Sequence, residues 1–192
     1  LNFLSKSNKN IEAIKSIISG AIIPVLFTSI ITVLIFFKST TQISNLFNSD
    51  DLYKGLISIL PAIFFGSLNK VLLYGIYNGL RKMKEFAFFQ SLRYIIILFN
   101  LLLFVNSSLE GPYITCVFSI TEFILFNLMI FRINKFFAFL SSWKWNKWSL
   151  RHLDFGSKAV FSGFINESNT KVDILMIGFL INNSDVGIYS FA

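Results

Sequence analysis

Five runs of apolar residues, each the length of a membrane-crossing helix, alternate with short polar connections along this chain. They cover residues 16–37, 55–80, 86–105, 113–131 and 155–182. A helix needs about 20 residues to cross a hydrocarbon core about 30 Å thick, and each run supplies them. The pattern predicts an all-α fold, a polytopic transmembrane helical bundle with about five spans. Pro24 and Pro61 fall inside runs, where each frees a backbone carbonyl and can kink the helix. Gly55, Gly66, Gly75 and Gly79 permit close helix approach along the second run.

The polar exceptions narrow the function. Lys70, Glu122 and the group Glu167, Lys171 and Asp173 lie near the middles of their runs. A charge facing lipid there costs roughly 2.5–3.5 kcal/mol, so these groups should face a bundle interior or a wet cavity. That combination fits a transporter, a channel or an intramembrane enzyme, and not a simple anchor.

On the second run, Ser67, Lys70, Tyr74, Tyr77 and Arg81 recur at three- and four-residue steps and are expected on one helix face. Lys70 lies about 16 Å of helical rise from Arg81, too deep to reach the interface comfortably. It either presents a cation to an anionic ligand, with the tyrosine hydroxyls as partners, or pairs with a carboxylate such as Glu122. Arg93, eight residues beyond Glu85, is expected to snorkel towards the interface. Glu122, one turn from Ser119 and two from Thr115, is expected either to pair with Lys70 or to relay a proton.

In the last run every residue of 166–173 except Val172 is polar. Glu167 and Lys171 stand in the favourable order for a helical ion pair. Asn166, Thr170 and Asp173 form a neighbouring strip. One long helix lining water is expected, with a helix broken at a binding site as the alternative.

Charge adds a direction. The chain is 54% hydrophobic and 14% charged, against about 25% charged in soluble domains. Its net charge of +7 does not point to nucleic acid, because the cations sit in connections and form no basic, aromatic-interleaved face. Lys6, Lys9 and Lys15, then Arg81, Lys82 and Lys84, then Arg132, Lys135, Lys144, Lys147 and Arg151 all fall on one side of an odd–even topology. The other connections hold Lys38 and Lys54 beside Asp50, Asp51, Glu110 and Asp185. The cation bias predicts that residues 81–85 and 132–153 are cytoplasmic in a multi-pass protein of the cell's inner (plasma) membrane.

Connection 132–153 interleaves Phe136, Phe137, Phe139, Leu140, Trp143, Trp145 and Trp148 with Lys144 and Lys147. It is expected to form a short interfacial helix, either a linker between bundles or an ordinary aromatic belt. Cys116 is the single cysteine and His152 the single histidine, so no disulfide, metal centre or cofactor is expected. No connection is large enough for an extramembrane catalytic domain, so the chain is not expected to be an enzyme. It begins at Leu1 and stops at Ala192, and reads as a piece of a longer protein.

Several local patterns carry a resemblance. They are Ser162-Gly163, Asn166, Asp173 and Gly178, followed by Asp185-Val186-Gly187-Ile188-Tyr189. An N-x-V-L-x-x-G helix at 69–75, a basic loop and an A-x-x-Q-S-L-R start at 87–93 join them. Together they resemble the Wzx-type polysaccharide flippases of the multidrug, oligosaccharidyl-lipid and polysaccharide exporter superfamily. That family often has a basic residue directly after the Asp; here the position is Ile174, and Lys171 is the cation available.

The resemblance implies two six-helix bundles around a central cavity, in a fold of about twelve or more helices. On that map the chain is similar to helices three to seven and the start of eight. Residues 1–131 belong to the N-terminal bundle, 132–153 form a cytoplasmic amphipathic linker, and 154–192 start the C-terminal bundle. The implied activity is flipping of a lipid-linked oligosaccharide of the undecaprenyl-diphosphate type, by alternating access and as a monomer, for surface polysaccharides such as O-antigen. Lys70, Tyr74, Tyr77, Asn166, Lys171 and Asp173 are then candidate substrate ligands, and Glu122 and Glu167 candidate ion-coupling groups. A proton- or sodium-coupled drug or cation antiporter is the second reading, and an intramembrane polymerase or ligase the third. A cationic cavity favours the lipid diphosphate and an anionic one a cation. The count of Lys70, Arg93 and Lys171 against Glu122, Glu167 and Asp173 is balanced.

Overall fold

The computed structural model describes residues 11–137, 144–180, 186, 187 and 189, and every regular element among them is helical. In chain order these are α1 (Ile11–Leu46), α2 (Asp50–Ser58), α3 (Leu60–Lys70), a π-helix (Val71–Asn78), α4 (Met83–Val105), a 3-10 turn (Gly111–Thr115), α5 (Cys116–Phe137) and α6 (Lys147–Leu180). Four helical stretches among the described residues are long and apolar enough to cross a membrane: Glu12–Leu46, Asp50–Asn78, Met83–Val105 and Gly111–Ile133. The fifth expected run lies in α6, which is long enough at 34 residues but carries the polar segment 166–173. α6 passes through that segment as one unbroken helix. Lys6, Lys9, Phe139, Leu140, Trp143, Asp185 and Ile188 lie outside the described residues.

Most of the threonine and serine hydroxyls in the middle and far half of α1 bond to the helix's own backbone. Thr28 donates to the Pro24 carbonyl at 2.9 Å, Thr32 to Thr28, Ser39 to Ile35 and Thr40 to Phe36, each also at 2.9 Å. A hydroxyl in hydrocarbon has no water to bond, so these back-bonds let α1 hold polar residues within a span. The turn after α1 places Asn48 in the left-handed region at φ 47°, which asparagine tolerates. Ser49 then caps α2 by accepting from the Leu52 N–H, and Asp50 and Asp51 complement the helix dipole.

The second run is not the single continuous helix that its hydropathy suggests. α2 gives way to α3 at Ile59, one residue before Leu60 and Pro61. Proline has no N–H and its ring crowds the carbonyl four residues back, which is the physical cause of the break. α5 repairs it: Ser119 Oγ donates to the Ser58 carbonyl at 2.6 Å and accepts from the Ala62 N–H at 3.2 Å. Further along, the backbone widens into the π-helix. The run closes at Arg81, in the left-handed region at φ 56°, with Lys82 N–H bonded to the Tyr77 carbonyl at 2.8 Å.

The core lies towards the cation-rich end of the bundle. Ile14, Ile17, Ile18 and Ile22 form a three-and-four-step stripe on α1, and Leu125, Met129 and Ile133 a four-step stripe on α5. They meet Leu72, Leu73, Ile76 and Tyr77 of the π-helix and Phe89 of α4. In lipid such contacts gain little from water exclusion, and close packing holds them together. The opposite face of α4 (Phe88, Tyr94, Ile95, Leu98, Phe99 and Leu102) is exposed, as a lipid-facing surface should be. In connection 132–153, α5 continues through Phe137 and α6 starts at Lys147; residues 138–143, on which the expected interfacial helix centres, lie outside the described residues.

Candidate functional site

Three helices bring one polar side chain each to a common point inside the bundle. Asn69 of α3 is fully buried; its Nδ2 donates to the Glu122 main-chain carbonyl at 2.8 Å and to Glu122 Oε2 at 2.6 Å. Arg93 of α4 donates from Nη2 to the same Oε2 at 3.3 Å, and its Nε lies 3.0 Å from Oε1. The Arg93 and Glu122 side chains are 15% and 16% exposed, so the pair is largely withdrawn from the surroundings. Gly66, one turn before Asn69, faces Glu122; a Cβ there would lie 3.8 Å from the carboxylate carbon, so the helices approach closely at this point. Deeper along the same interface, Asn100 of α4 donates to Thr121 of α5 at 3.1 Å, and both are buried.

This arrangement corrects two expectations. Glu122 pairs with Arg93 and not with Lys70, and Arg93 turns into the bundle and does not snorkel to its edge. A buried carboxylate wins the guanidinium because the alternative leaves both ions unpaired at mid-depth. Depth along the spans does not make this choice, because Lys70, about 16 Å of rise from Arg81, matches Glu122 in depth as well as Arg93 does. Measured from Arg81, Lys84 and Arg132 at 1.5 Å per residue, Asn69, Arg93 and Glu122 lie about 18, 14 and 15 Å deep. Groups at matched depth on neighbouring spans can meet. The neighbours expected beside Glu122, Ser119 and Thr115, serve the α2–α3 break: Thr115 donates to the Gly55 carbonyl at 2.9 Å and shares a short hydrogen bond with Ser58.

The expected face on the second run divides. Lys70 is exposed, with no ion pair or hydrogen bond among the described residues, and Tyr74 beside it is exposed with its ring against Phe86 at 5.2 Å. Tyr77 instead points inward, 2% exposed, with its ring 5.3 Å from Phe89 and its hydroxyl without a partner among the described residues. The π-helix is the reason: its hydrogen bonds span five residues, so three- and four-residue steps no longer hold one face.

On α6, Asn166, Glu167, Lys171 and Asp173 are all exposed. The expected Glu167–Lys171 ion pair does not form among the described residues, where Thr170 Oγ1 bonds the Glu167 carbonyl at 3.0 Å. The structure therefore gathers Asn69, Arg93 and Glu122 in one place, Lys70 and Tyr74 on a second surface, and the α6 strip on a third. No cluster of three or more metal-ligating side chains occurs among the described residues.

A family model described as "Polysaccharide biosynthesis protein" matches residues 2–192, nearly the whole chain. The chain belongs to the polysaccharide biosynthesis protein family. No curated protein and no solved structure gives a significant match. Membership agrees with the resemblance read from the residues, and with the apolar spans it describes a membrane protein of the polysaccharide biosynthesis class.

Proposed function

We propose that this chain is part of a flippase that carries a lipid-linked oligosaccharide, of the undecaprenyl-diphosphate type, across the plasma membrane by alternating access. The supporting observation is the fate of the mid-depth charges. Arg93 and Glu122 neutralise one another, which leaves Lys70 as the uncompensated mid-depth cation of the four apolar spans among the described residues. A diphosphate crossing hydrocarbon must exchange its hydration for charge-assisted contacts, and a free ammonium supplies one. Tyr74, exposed one turn away, adds a hydroxyl. Asn166, Lys171 and Asp173 on the exposed strip of α6 supply further hydrogen-bonding groups for the sugar. An antiporter that used Glu122 as its ion site would first have to remove Arg93 and Asn69 from the carboxylate.

The orientation proposed for this flippase keeps residues 81–85 and 132–153 cytoplasmic, and it works as a monomer. In the full-length protein, Lys70→Ala is expected to abolish transport of the lipid-linked sugar at normal abundance, and Lys70→Arg to retain part of it. Full transport by a normally abundant Lys70→Ala protein refutes the reading. Because Lys70 does not touch Glu122, removal of Glu122 should not rescue Lys70→Ala.

A further inference from the structure

The contact between α1 and α6 is built differently at its two ends. At the cation-rich end it is polar and tight. Asn146 caps α6, accepting from the Trp148 N–H at 2.8 Å, while its own N–H donates to Ser149 Oγ at 3.2 Å. The same side chain donates from Nδ2 to the Ser16 carbonyl at 2.9 Å. Ser19 Oγ donates to the Lys144 carbonyl at 3.2 Å and accepts from the Lys144 N–H at 2.8 Å. Ser19 and Ser149 are buried, at 5% and 0% exposure. Gly20 sits at the centre of this junction. A Cβ there would lie 2.6 Å from Asn146 Oδ1 and 2.7 Å from Trp148 Cβ, which leaves no room for any side chain.

At the far end the contact is slight and apolar. Phe179 meets Phe47 edge to face at 6.2 Å, and a Cβ at Gly178 would touch Phe47 Cε1 at 3.6 Å. Between the two ends, residues 154–173 of α6 are exposed, except Gly156, which is half-buried. The polar segment 166–173 falls in this unsupported stretch.

We infer that Gly20 and Asn146 form a fixed pivot on which α6 turns against α1, and that the Phe47–Phe179 contact is the gate that opens. The inference rests on the two-bundle transport reading proposed above, since it assigns α1 and α6 to different bundles. A junction with three hydrogen bonds between its two segments, closed around a glycine with no room for a side chain, has no second arrangement within easy reach, whereas the apolar contacts of the Phe47 ring found among the described residues at the far end separate at little cost. Opening at the far end lifts the middle of α6 away from α1 while the cap stays in register. The polar segment then gains access to one side of the membrane without breaking the buried bonds at the other.

Two cysteine pairs test this in the full-length protein after replacement of Cys116: Ser16→Cys with Lys144→Cys, which serve the junction through their main chains, and Phe47→Cys with Phe179→Cys. Each is bridged by a short, reducible bifunctional thiol reagent, and transport of lipid-linked sugar is measured before bridging, after it, and after reduction. The bridge at Ser16 and Lys144 is expected to leave transport intact. The bridge at Phe47 and Phe179 is expected to reduce transport to background, with recovery on reduction. Loss of transport on bridging the first pair, or undiminished transport on bridging the second, overturns the pivot. Paired spin labels at the same positions supply a reading independent of activity: one distance at the pivot and two at the gate. A single distance at both refutes the inference. If the unbridged pairs carry no lipid-linked sugar while the spin labels show this pattern, the transport reading fails and the pivot stands.

Discussion

Replacing Arg93 by leucine removes the cation of the buried pair and leaves Glu122 with Asn69 as its partner. Removing one member of a buried ion pair typically costs 3–5 kcal/mol, because the other charge stays in a poorly solvating medium. Here the side chains keep 15% and 16% exposure, and Asn69 still bonds the carboxylate at 2.6 Å. Both facts place the cost at the lower end, about 3 kcal/mol, or roughly two powers of ten in the folding equilibrium. The double variant Arg93→Leu with Glu122→Leu removes both charges. It leaves one Asn69 amide hydrogen unbonded, while the other keeps the main-chain carbonyl of residue 122, at a residual cost of about 1 kcal/mol. The double variant should therefore be the more stable of the two by about 2 kcal/mol. Equilibrium unfolding of the full-length protein in mixed micelles, followed by tryptophan fluorescence, gives these differences directly. An Arg93→Leu protein within about 0.5 kcal/mol of wild type, or a double variant no better than the single, refutes the pairing as a structural element.

Two further outcomes follow from residues nearer the membrane surface. Burial holds the His152 imidazole below its ordinary value of 6.5, partly offset by a hydrogen bond with the Ile17 backbone, so the unfolded chain binds the extra proton first. Stability is then complete above about pH 6.5 and falls as the pH drops below that value; thermal unfolding at pH 7.5 and 5.5 should show the loss, and His152→Gln should remove it. With Cys116 replaced, a cysteine at position 82 should resist membrane-impermeant thiol reagents in intact cells while one at position 107 reacts. The reverse labelling would overturn the orientation drawn from the loop cations.

The spans were readable because apolar length is a one-dimensional property, and four of the five runs coincide with helical stretches of spanning length, one of them broken at Ile59. The fifth was readable as a helix, but its polar interior sets it apart from the others. What one dimension does not carry is partnership. Lys70 and Arg93 look alike along the sequence, yet one is exposed without a partner and the other grips Glu122, because the choice depends on which helix stands opposite. Tyr74 and Tyr77 were separated by a change in backbone hydrogen bonding that no residue in 71–78 announces. Ser58, Thr115 and Ser119 were unremarkable as small polar residues. Their importance comes from the carbonyl and N–H groups exposed at the break beside Pro61, a need set on one helix and met from another.

That break has a mechanical consequence. α2 is joined to α3 by the chain at Ile59, whose N–H bonds the Gly55 carbonyl at 3.2 Å, but it is also fastened from outside its own span. Lys54 pairs with Glu110 at 2.6 Å, the Gly55 carbonyl accepts from Thr115, and the Ser58 carbonyl accepts from Ser119. Three of its nine residues are thus fastened to the turn and helix that open the fourth span. A bend of the second span at Ile59 that keeps these bonds would hold its first segment to α5. Covalent order assigns α2 to one span, and these bonds tie it to another.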